Sequence, residues 1–289
     1  MARDVDASEG LEVRPLSGAL GAEVSGVDVS KPMAPGSFAE LHQALLDHGV
    51  IYLRGQSLSR EAQLELAQRF GKPDVHPIAN GMEGHPEIIE VRKPVGESAY
   101  FGTSWHTDNS FFACPSALTI LYAERVPPVG GDTLFACMER AFEALSEPIR
   151  RLLAPLSAVH SAARAYDPRT TGEAKYRGER AISYTYSERV YEENVHPVVR
   201  THPETGRKSL YVNPMFTERI LGLLPGESAA LLEMLHAHAT RPELTCRVAW
   251  QPGQLTIWDN RRVQHYAVDD YPQFERLLYR VTVQGTRPV

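Results

Sequence analysis

The chain has little cysteine, no long apolar run and no excess of positive charge. Its 289 residues include three cysteines, none in a C-x-x-C pair, which argues against a disulfide framework or a thiolate zinc site. The sequence contains no run of 18 apolar residues, so no membrane-spanning helix is predicted. The net charge is -6 and no Lys/Arg-rich run occurs, so nucleic acid is not the expected partner. The start MARDVDASEG lacks the apolar core of a signal peptide, so a cytoplasmic location is expected.

Nucleotide-binding signatures are also missing. Neither G-x-G-x-x-G nor a P-loop pattern occurs, which leaves a Rossmann or P-loop fold without support. From residue 87 onward, short segments rich in β-branched and aromatic residues alternate with turn residues. This pattern predicts a mainly β fold with flanking helices, a double-stranded β-helix or cupin-like jelly roll. We expect a disordered N-terminus over 1–10, one domain over 11–289, and an active-site lid in the polar, aperiodic segment 165–195.

Helices and turns are predicted from caps and breakers. Ser37 and Glu40 have capping-box spacing before a helix that ends at Gly49, and Ser59 is expected to cap a second helix that ends near Gly71. Two further helices are predicted at roughly 138–153 and roughly 227–239. The segments 202–206 and 251–254 have the composition of hairpin turns.

A metal site is predicted from His106, Asp108 and His265. In an extended chain, residues i and i+2 point to the same face, so His106 and Asp108 can reach one ion. A distant histidine, His265, follows the apolar strand QLTIW and a polar turn. Two histidines and one carboxylate form the facial triad of non-haem Fe(II) oxygenases.

Other histidine pairs have similar spacing. His85-Pro-Glu87 and His202-Pro-Glu204 contain a central proline and are interpreted as surface turns. His236 and His238 lie on a predicted helix, where side chains two residues apart diverge by roughly 200° and do not chelate one ion.

Two arginines lie four residues apart in the last strong strand, ERLLYRVTV. Arg276 and Arg280 therefore face the same side as Leu278. Buried guanidinium groups need anions, and the planar arginine fork suits carboxylates. Either the two arginines pair with Asp or Glu of the protein, or one binds a dicarboxylate co-substrate and the other an anionic substrate.

With these histidines, this aspartate and these arginines, the chain resembles the family of taurine dioxygenases and aryloxyacetate dioxygenases. The family motif is H-x-D, 24 residues, Thr or Ser, a long gap, His, and then Arg after 10–13 residues. Here Asp108 is followed by 24 residues and Thr133, His265 comes after a further 131 residues, and Arg276 after 10 more. The resemblance covers nearly the whole chain, and it implies an Fe(II)- and 2-oxoglutarate-dependent dioxygenase that uses O2 and releases succinate and CO2.

The resemblance also implies a role for each matching position. Fe(II) would be bound by His106, Asp108 and His265, and 2-oxoglutarate by Thr133 and Arg276. The substrate would contact four residues: Arg280, His76, Phe216 and Gly102.

Two departures from the family pattern bear on the substrate. A taurine-contacting asparagine would fall near Gly102 and a second aromatic residue near Ala162, so a roomier pocket is expected. The expected substrate is a small anionic molecule such as an aryloxyalkanoate, a sulfonate or a related acid. The stretches VHPVVRTHP, SLYVNPMF and LTCRVAW look closer to enzymes that act on chiral aryloxypropionates.

Two other functions stay open at this stage. One is a non-oxidative metal-binding protein of the cupin type, and the other is a pseudo-enzyme that binds 2-oxoglutarate without turnover. Cupin sites usually contain three or four clustered histidines, and paired arginines have no role in them. The oligomeric state also stays open, although homo-oligomers are common among such folds.

Overall fold

A computed structural model describes residues 10–96, 102–167 and 187–289. Most of the predicted lid, 165–195, and almost all of the predicted disordered N-terminus, 1–10, lie outside the described residues. Within the described ranges, no helix is long and apolar enough to span a membrane. The prediction of one domain over 11–289 stays a prediction.

Fifteen strands occur in the described residues, and they form one large sheet and three small ones. The large sheet has the order β1-β2-β3-β13-β5-β15-β4, and the small sheets are β12-β6-β14, β11-β7-β8 and β10-β9. The strands are β1 (Glu12–Pro15), β2 (Ala22–Ser25), β3 (Val50–Leu53), β4 (Ile88–Lys93), β5 (Leu118–Arg125), β6 (Thr133–Cys137), β7 (Ser157–His160), β8 (Asn194–Pro197), β9 (Val199–Thr201), β10 (Lys208–Leu210), β11 (Thr217–Ile220), β12 (Thr245–Val248), β13 (Leu255–Asp259), β14 (Val263–Ala267) and β15 (Arg276–Val283).

The described residues also contain six α-helices. They are α1 (Pro35–His48), α2 (Arg60–Phe70), α3 (Met138–Glu143), α4 (Glu147–Leu153), α5 (Ala163–Tyr166) and α6 (Pro225–Ala239), with 3-10 turns at Glu188–Tyr191 and Pro242–Leu244. The Ser59 side chain accepts a hydrogen bond from the Ala62 amide and caps α2, as predicted. Gly49 ends α1 at φ 72°, a left-handed conformation that glycine adopts without strain.

The two faces of the large sheet pack against different layers. Leu277, Tyr279 and Val281 of β15 join the apolar cluster under α1 and α2. Leu278 joins a second cluster on the opposite face, which contains Phe135 of the β12-β6-β14 sheet. The alternation along β15 therefore directs Arg276 and Arg280 into the space between the two sheets, as their even spacing predicts. This two-sheet arrangement is the predicted jelly roll.

Three local predictions need correction. The helix at α1 begins at Pro35, two residues before the predicted Ser37 cap. The predicted helix over 138–153 is divided into α3 and α4, because Ser146 and Pro148 start a new helix. The turn at 251–254 closes with a Gln254 amide bond to the Gln251 carbonyl, but it joins β12 to β13 in different sheets instead of forming a hairpin.

The interpretation of His202-Pro-Glu204 as a surface turn was only partly right. The turn exists and joins the paired strands β9 and β10. His202 itself is fully buried, and its Nε2 lies 2.9 Å from Asp259, which Arg261 also binds. The carboxylate on the distant strand β13 compensates the buried imidazole, and local sequence contains no signal for that partner. His85, by contrast, is partly exposed and contacts Glu61.

Buried histidines make the fold sensitive to acid. Burial, with the nearby His196, lowers the pKa of His160 to about 3 from its ordinary 6.5. The folded state therefore binds fewer protons than the unfolded state below pH 6.5, and stability is lost as the pH falls through that value. For one such group the loss is about 2 kcal/mol at pH 5.

We expect His160→Asn to lower the free energy of unfolding at pH 7.5 and to make its decline toward pH 5 shallower by about 2 kcal/mol. Denaturant unfolding of both proteins at pH 7.5, 6 and 5 measures this. A variant that loses stability with pH as steeply as the wild type would show that His160 does not contribute.

Candidate active site

Three predicted ligands meet at one point between the sheets. His106, Asp108 and His265 are buried, and each offers a ligand atom within 4.8 Å of the others. The Nε2 atoms of His106 and His265 lie 3.7 and 3.8 Å from Asp108 Oδ1. The backbones of the two histidines are joined directly, since each amide donates to the carbonyl of the other, at 3.0 and 2.8 Å. Two segments far apart in sequence are thereby held in register.

The residue between the first two ligands points away from them. The Thr107 hydroxyl donates to the Val263 carbonyl on β14 at 3.0 Å, which fixes the extended segment against the small sheet. Asn109 follows at φ 57°, a left-handed conformation that turns the chain immediately after Asp108. This local geometry is the reason that H-x-D spacing brings both ligands to the same side.

The donor set fits a divalent first-row metal ion. His106 Nδ1 lies 2.7 Å from the Ser104 carbonyl, which can only accept, so Nδ1 carries the proton and Nε2 faces the site unprotonated. Burial, reinforced by His106, lowers the pKa of His265 to about 3. Two neutral imidazoles and one carboxylate are the ligand types of a non-haem iron site, and bonds of roughly 2 Å reach all three.

Asp108 is held as an anion by its surroundings. Burial would raise the pKa of Asp108, but Arg280 and then the two histidines hold it below its usual value. Arg280 Nη2 lies 2.9 Å from Asp108 Oδ1, and both side chains are buried. The guanidinium group is therefore adjacent to the proposed metal ligands, and it makes that side of the site positively charged.

Arg276 occupies a different environment at the other end of the same strand face. Its guanidinium carbon lies 5.5 Å from the Trp250 ring and 5.9 Å from the Tyr271 ring. Within the described ranges, its Nε has no hydrogen-bond partner although the atom is buried. Trp250 connects Arg276 to Thr133, because its Nε1 donates a hydrogen bond to the Thr133 hydroxyl at 2.9 Å. A buried cation between two rings suits an anionic ligand.

Seven of the nine predicted site residues line a single cavity. Its lining consists of Val91, Gly102, His106, Asp108, Leu121, Thr133, Trp258, His265, Ala267, Arg276, Leu278 and Arg280. Gly102 has φ +80°, and a Cβ there would lie 3.3 Å from the His106 ring, so any side chain at this position would be strained and tightly packed against that ring.

His76 does not belong to the lining residues of that cavity. Its Nδ1 accepts the amides of Ile78 and Ala79, and its Nε2 lies 3.0 Å from Asn109 Oδ1. Both ring nitrogens are thus bonded within the protein, with Nε2 carrying the proton. Burial, with the charge of Arg280, lowers the pKa of His76 to about 4. The imidazole lies near Arg280 but is already engaged, so its predicted contact with the substrate stays a prediction.

Phe216 also lies outside the lining but borders the metal donors. Its ring centroid is 6.2 Å from that of His106 in an edge-on arrangement and 4.8 Å from that of Phe111. Phe111, Phe216, Tyr166 and Ala162 belong to one buried apolar cluster. This aromatic cluster forms an apolar wall beside the site.

Sequence reasoning missed residues that support the site. Thr119 donates to Asp108 Oδ2 at 2.6 Å, and Asn260 donates to the Thr119 hydroxyl at 2.8 Å. Trp258 also lines the cavity, and its ring centroid lies 4.9 Å from that of His265. A hydroxyl in the otherwise apolar run LTILYA was the available signal for Thr119.

Comparison with known proteins identifies the family. Residues 12–282 match the model of the taurine catabolism dioxygenase TauD, TfdA family. The chain belongs to this family. It is an Fe(II)- and 2-oxoglutarate-dependent dioxygenase. The non-oxidative cupin alternative is thereby set aside.

Individual members of the TauD, TfdA family resemble the chain along most of its length. An alkylsulfatase of Acinetobacter baylyi is 38% identical over 95% of this chain and 85% of its own. An alpha-ketoglutarate-dependent sulfate ester dioxygenase of Pseudomonas putida is 37% identical over 96% and 91%. The crystal structure of a taurine dioxygenase from Burkholderia xenovorans superposes with a TM-score of 0.82 at 36% identity, covering 97% and 93%. The jelly-roll prediction is confirmed by this match.

Removal of one ligand should greatly weaken metal binding. We expect Asp108→Ala to weaken the affinity for Fe(II) at least 100-fold, because two neutral imidazoles remain and Arg280 loses its counter-charge. Anaerobic Fe(II) titration by calorimetry measures the affinity, with Asp47→Ala on the exposed side of α1 as the control. An Asp108→Ala protein that binds Fe(II) as tightly as the control would contradict the ligand assignment.

Proposed function

We propose that the enzyme hydroxylates the carbon that bears the sulfate oxygen of an alkyl sulfate ester. The hydroxylated carbon then loses sulfate, so that R-CH2-O-SO3⁻, 2-oxoglutarate and O2 give the aldehyde R-CHO, hydrogen sulfate, succinate and CO2. The position of Arg280 carries the proposal: its guanidinium group lies 2.9 Å from the Asp108 carboxylate and lines the cavity. An oxyanion bound there brings the adjacent carbon close to the metal ligands.

The relatives favour this class of substrate. The relatives from Acinetobacter baylyi and Pseudomonas putida carry the names alkylsulfatase and sulfate ester dioxygenase. The apolar wall around Phe216 and Phe111 suits the alkyl group of such an ester. Gly102 and Ala267 line the cavity, and neither offers a polar group to a substrate amine.

The residues have the following proposed roles. His106, Asp108 and His265 hold Fe(II), and Arg276 with Thr133 holds the distal carboxylate of 2-oxoglutarate. When bound, Fe(II) and 2-oxoglutarate supply the oxidative chemistry that activates O2, forms succinate and hydroxylates the substrate. Arg280 holds the anionic group of the substrate and keeps Asp108 ionised. The buried surroundings exclude bulk water, which strengthens the attraction between each arginine and the anion that it binds.

Arg276 and Arg280 are suited to two different anions. They lie on one face of β15 with Leu278 between them, so their guanidinium groups are separated along the strand. Arg276 is enclosed by Trp250 and Tyr271, whereas Arg280 contacts a metal ligand. A co-substrate carboxylate at Arg276 and a sulfate group at Arg280 would converge on the metal ligands from two sides.

The sulfonates are the second candidate class. The taurine dioxygenase structure with a TM-score of 0.82 supports them, since Arg280 suits a sulfonate as well as a sulfate. The two classes give different products, because hydroxylation beside sulfur releases sulfite and hydroxylation beside oxygen releases sulfate.

We expect medium-chain alkyl sulfates to stimulate succinate formation at least 10-fold more than taurine, unsubstituted alkanesulfonates or 2-phenoxypropionate at equal concentration. The experiment quantifies succinate together with sulfate, sulfite or phenol after O2 is admitted to Fe(II)-loaded enzyme. Equal yields of succinate and sulfate support the proposal. Sulfite release would assign the sulfonates instead, and phenol release would assign the aryloxyalkanoates.

A further inference from the structure

Three buried side chains form a one-directional chain of hydrogen bonds that ends on the proposed metal ligand Asp108. Trp258 Nε1 donates to Asn260 Oδ1 at 3.0 Å, and Asn260 Nδ2 donates to Thr119 Oγ1 at 2.8 Å. Thr119 Oγ1 then donates to Asp108 Oδ2 at 2.6 Å. All four side chains are at most 4% exposed, so water does not compete for these bonds. We call Trp258, Asn260 and Thr119 the relay.

The donor inventory fixes the direction of the relay. An indole N–H can only donate, which makes the Asn260 oxygen the acceptor and turns its NH2 group toward Thr119. The Thr119 hydroxyl has a single proton, and since its oxygen accepts from Asn260, that proton is directed to Asp108. The distance of 2.6 Å is typical of a hydroxyl bonded to an ionised carboxylate.

The relay leaves one oxygen of Asp108 for the metal ion. Oδ2 is bonded to Thr119, whereas Oδ1 faces the Nε2 atoms of His106 and His265 at 3.7 and 3.8 Å and also pairs with Arg280 Nη2 at 2.9 Å. Without the hydroxyl, rotation of the carboxylate about its Cβ–Cγ bond would be opposed by Arg280 alone. Bonds of this kind orient ligands and commonly contribute a factor of 10–100 to metal affinity.

We propose that Thr119 is a positioning residue that orients Asp108 for ligation through Oδ1, and that Asn260 and Trp258 act through it. The large sheet is the framework for this role, because Thr119 on β5 is directly paired with Trp258 on β13. The proposal rests on the proposed ligand role of Asp108 and is independent of the substrate.

Substitutions at Thr119 test the proposal through metal affinity. Mn(II) alone is titrated into the metal-free protein, and the free ion is followed by electron paramagnetic resonance. Thr119→Val keeps the shape but lacks the hydroxyl, and we expect at least 10-fold weaker binding. Thr119→Ser restores the hydroxyl and should bind within threefold of the wild type. The matched control Thr282→Val changes a buried threonine that pairs with Thr119 across β5 and β15.

Asn260→Ala provides a second test if Thr119→Val does not fold. It should weaken Mn(II) binding severalfold, and the double variant should bind no more weakly than Thr119→Val alone, because Asn260 acts through Thr119. Melting temperatures are recorded for every variant, so that a loss of stability is distinguished from a loss of affinity.

Other outcomes overturn the proposal. Wild-type affinity in Thr119→Val or Asn260→Ala, or equal weakening in Thr119→Val, Thr119→Ser and Thr282→Val, removes the hydroxyl as the cause. Asp108→Ala is titrated in parallel. If it binds Mn(II) normally, the ligand set fails and the relay with it, whereas normal binding by Thr119→Val alone overturns only the relay.

Discussion

The ion pair between Arg280 and Asp108, sealed between two sheets, is the constraint on which the rest of the site depends. A carboxylate with 4% of its surface exposed stays charged only if a cation compensates the loss of water, and Arg280 Nη2 does so at 2.9 Å. The same guanidinium group then faces the cavity. In the proposed function, this one buried charge both keeps Asp108 ionised for the metal ion and binds the anionic group of the substrate.

The fold supplies this arrangement from segments that are distant along the chain. The alternation of side chains along β15 directs both arginines to the inner face. The backbone hydrogen bonds between His106 and His265 join the H-x-D segment to β14. Apolar packing on the outer face, under α1 and α2, holds the large sheet in place. Because the arginines, the carboxylate and the imidazoles lie on separate segments, their positions are mutually dependent.

The local parts of this site could be predicted from sequence, because their geometry follows from periodicity. The i, i+2 pair at His106 and Asp108, the shared face of Arg276 and Arg280, and the Ser59 cap are all of this kind. The Thr119–Asp108 bond and the burial of His202 against Asp259 depend on residues 11 and 57 positions apart, which periodicity does not relate. Gly102 was matched by position, but the tight contact that a Cβ there would make with the His106 ring appears only in three dimensions.

The central claim is that Arg276 and Arg280 bind two different anions. Its most direct test is the weak visible absorption band of the anaerobic Fe(II)–2-oxoglutarate complex. The wild type should form the band, and an alkyl sulfate should shift it. Arg276→Ala should need at least 10-fold more 2-oxoglutarate to form it, with the shift retained. Arg280→Ala should form it at ordinary 2-oxoglutarate but lose the shift. Identical behaviour of the two variants, or a wild-type response from Arg280→Ala, would contradict the account.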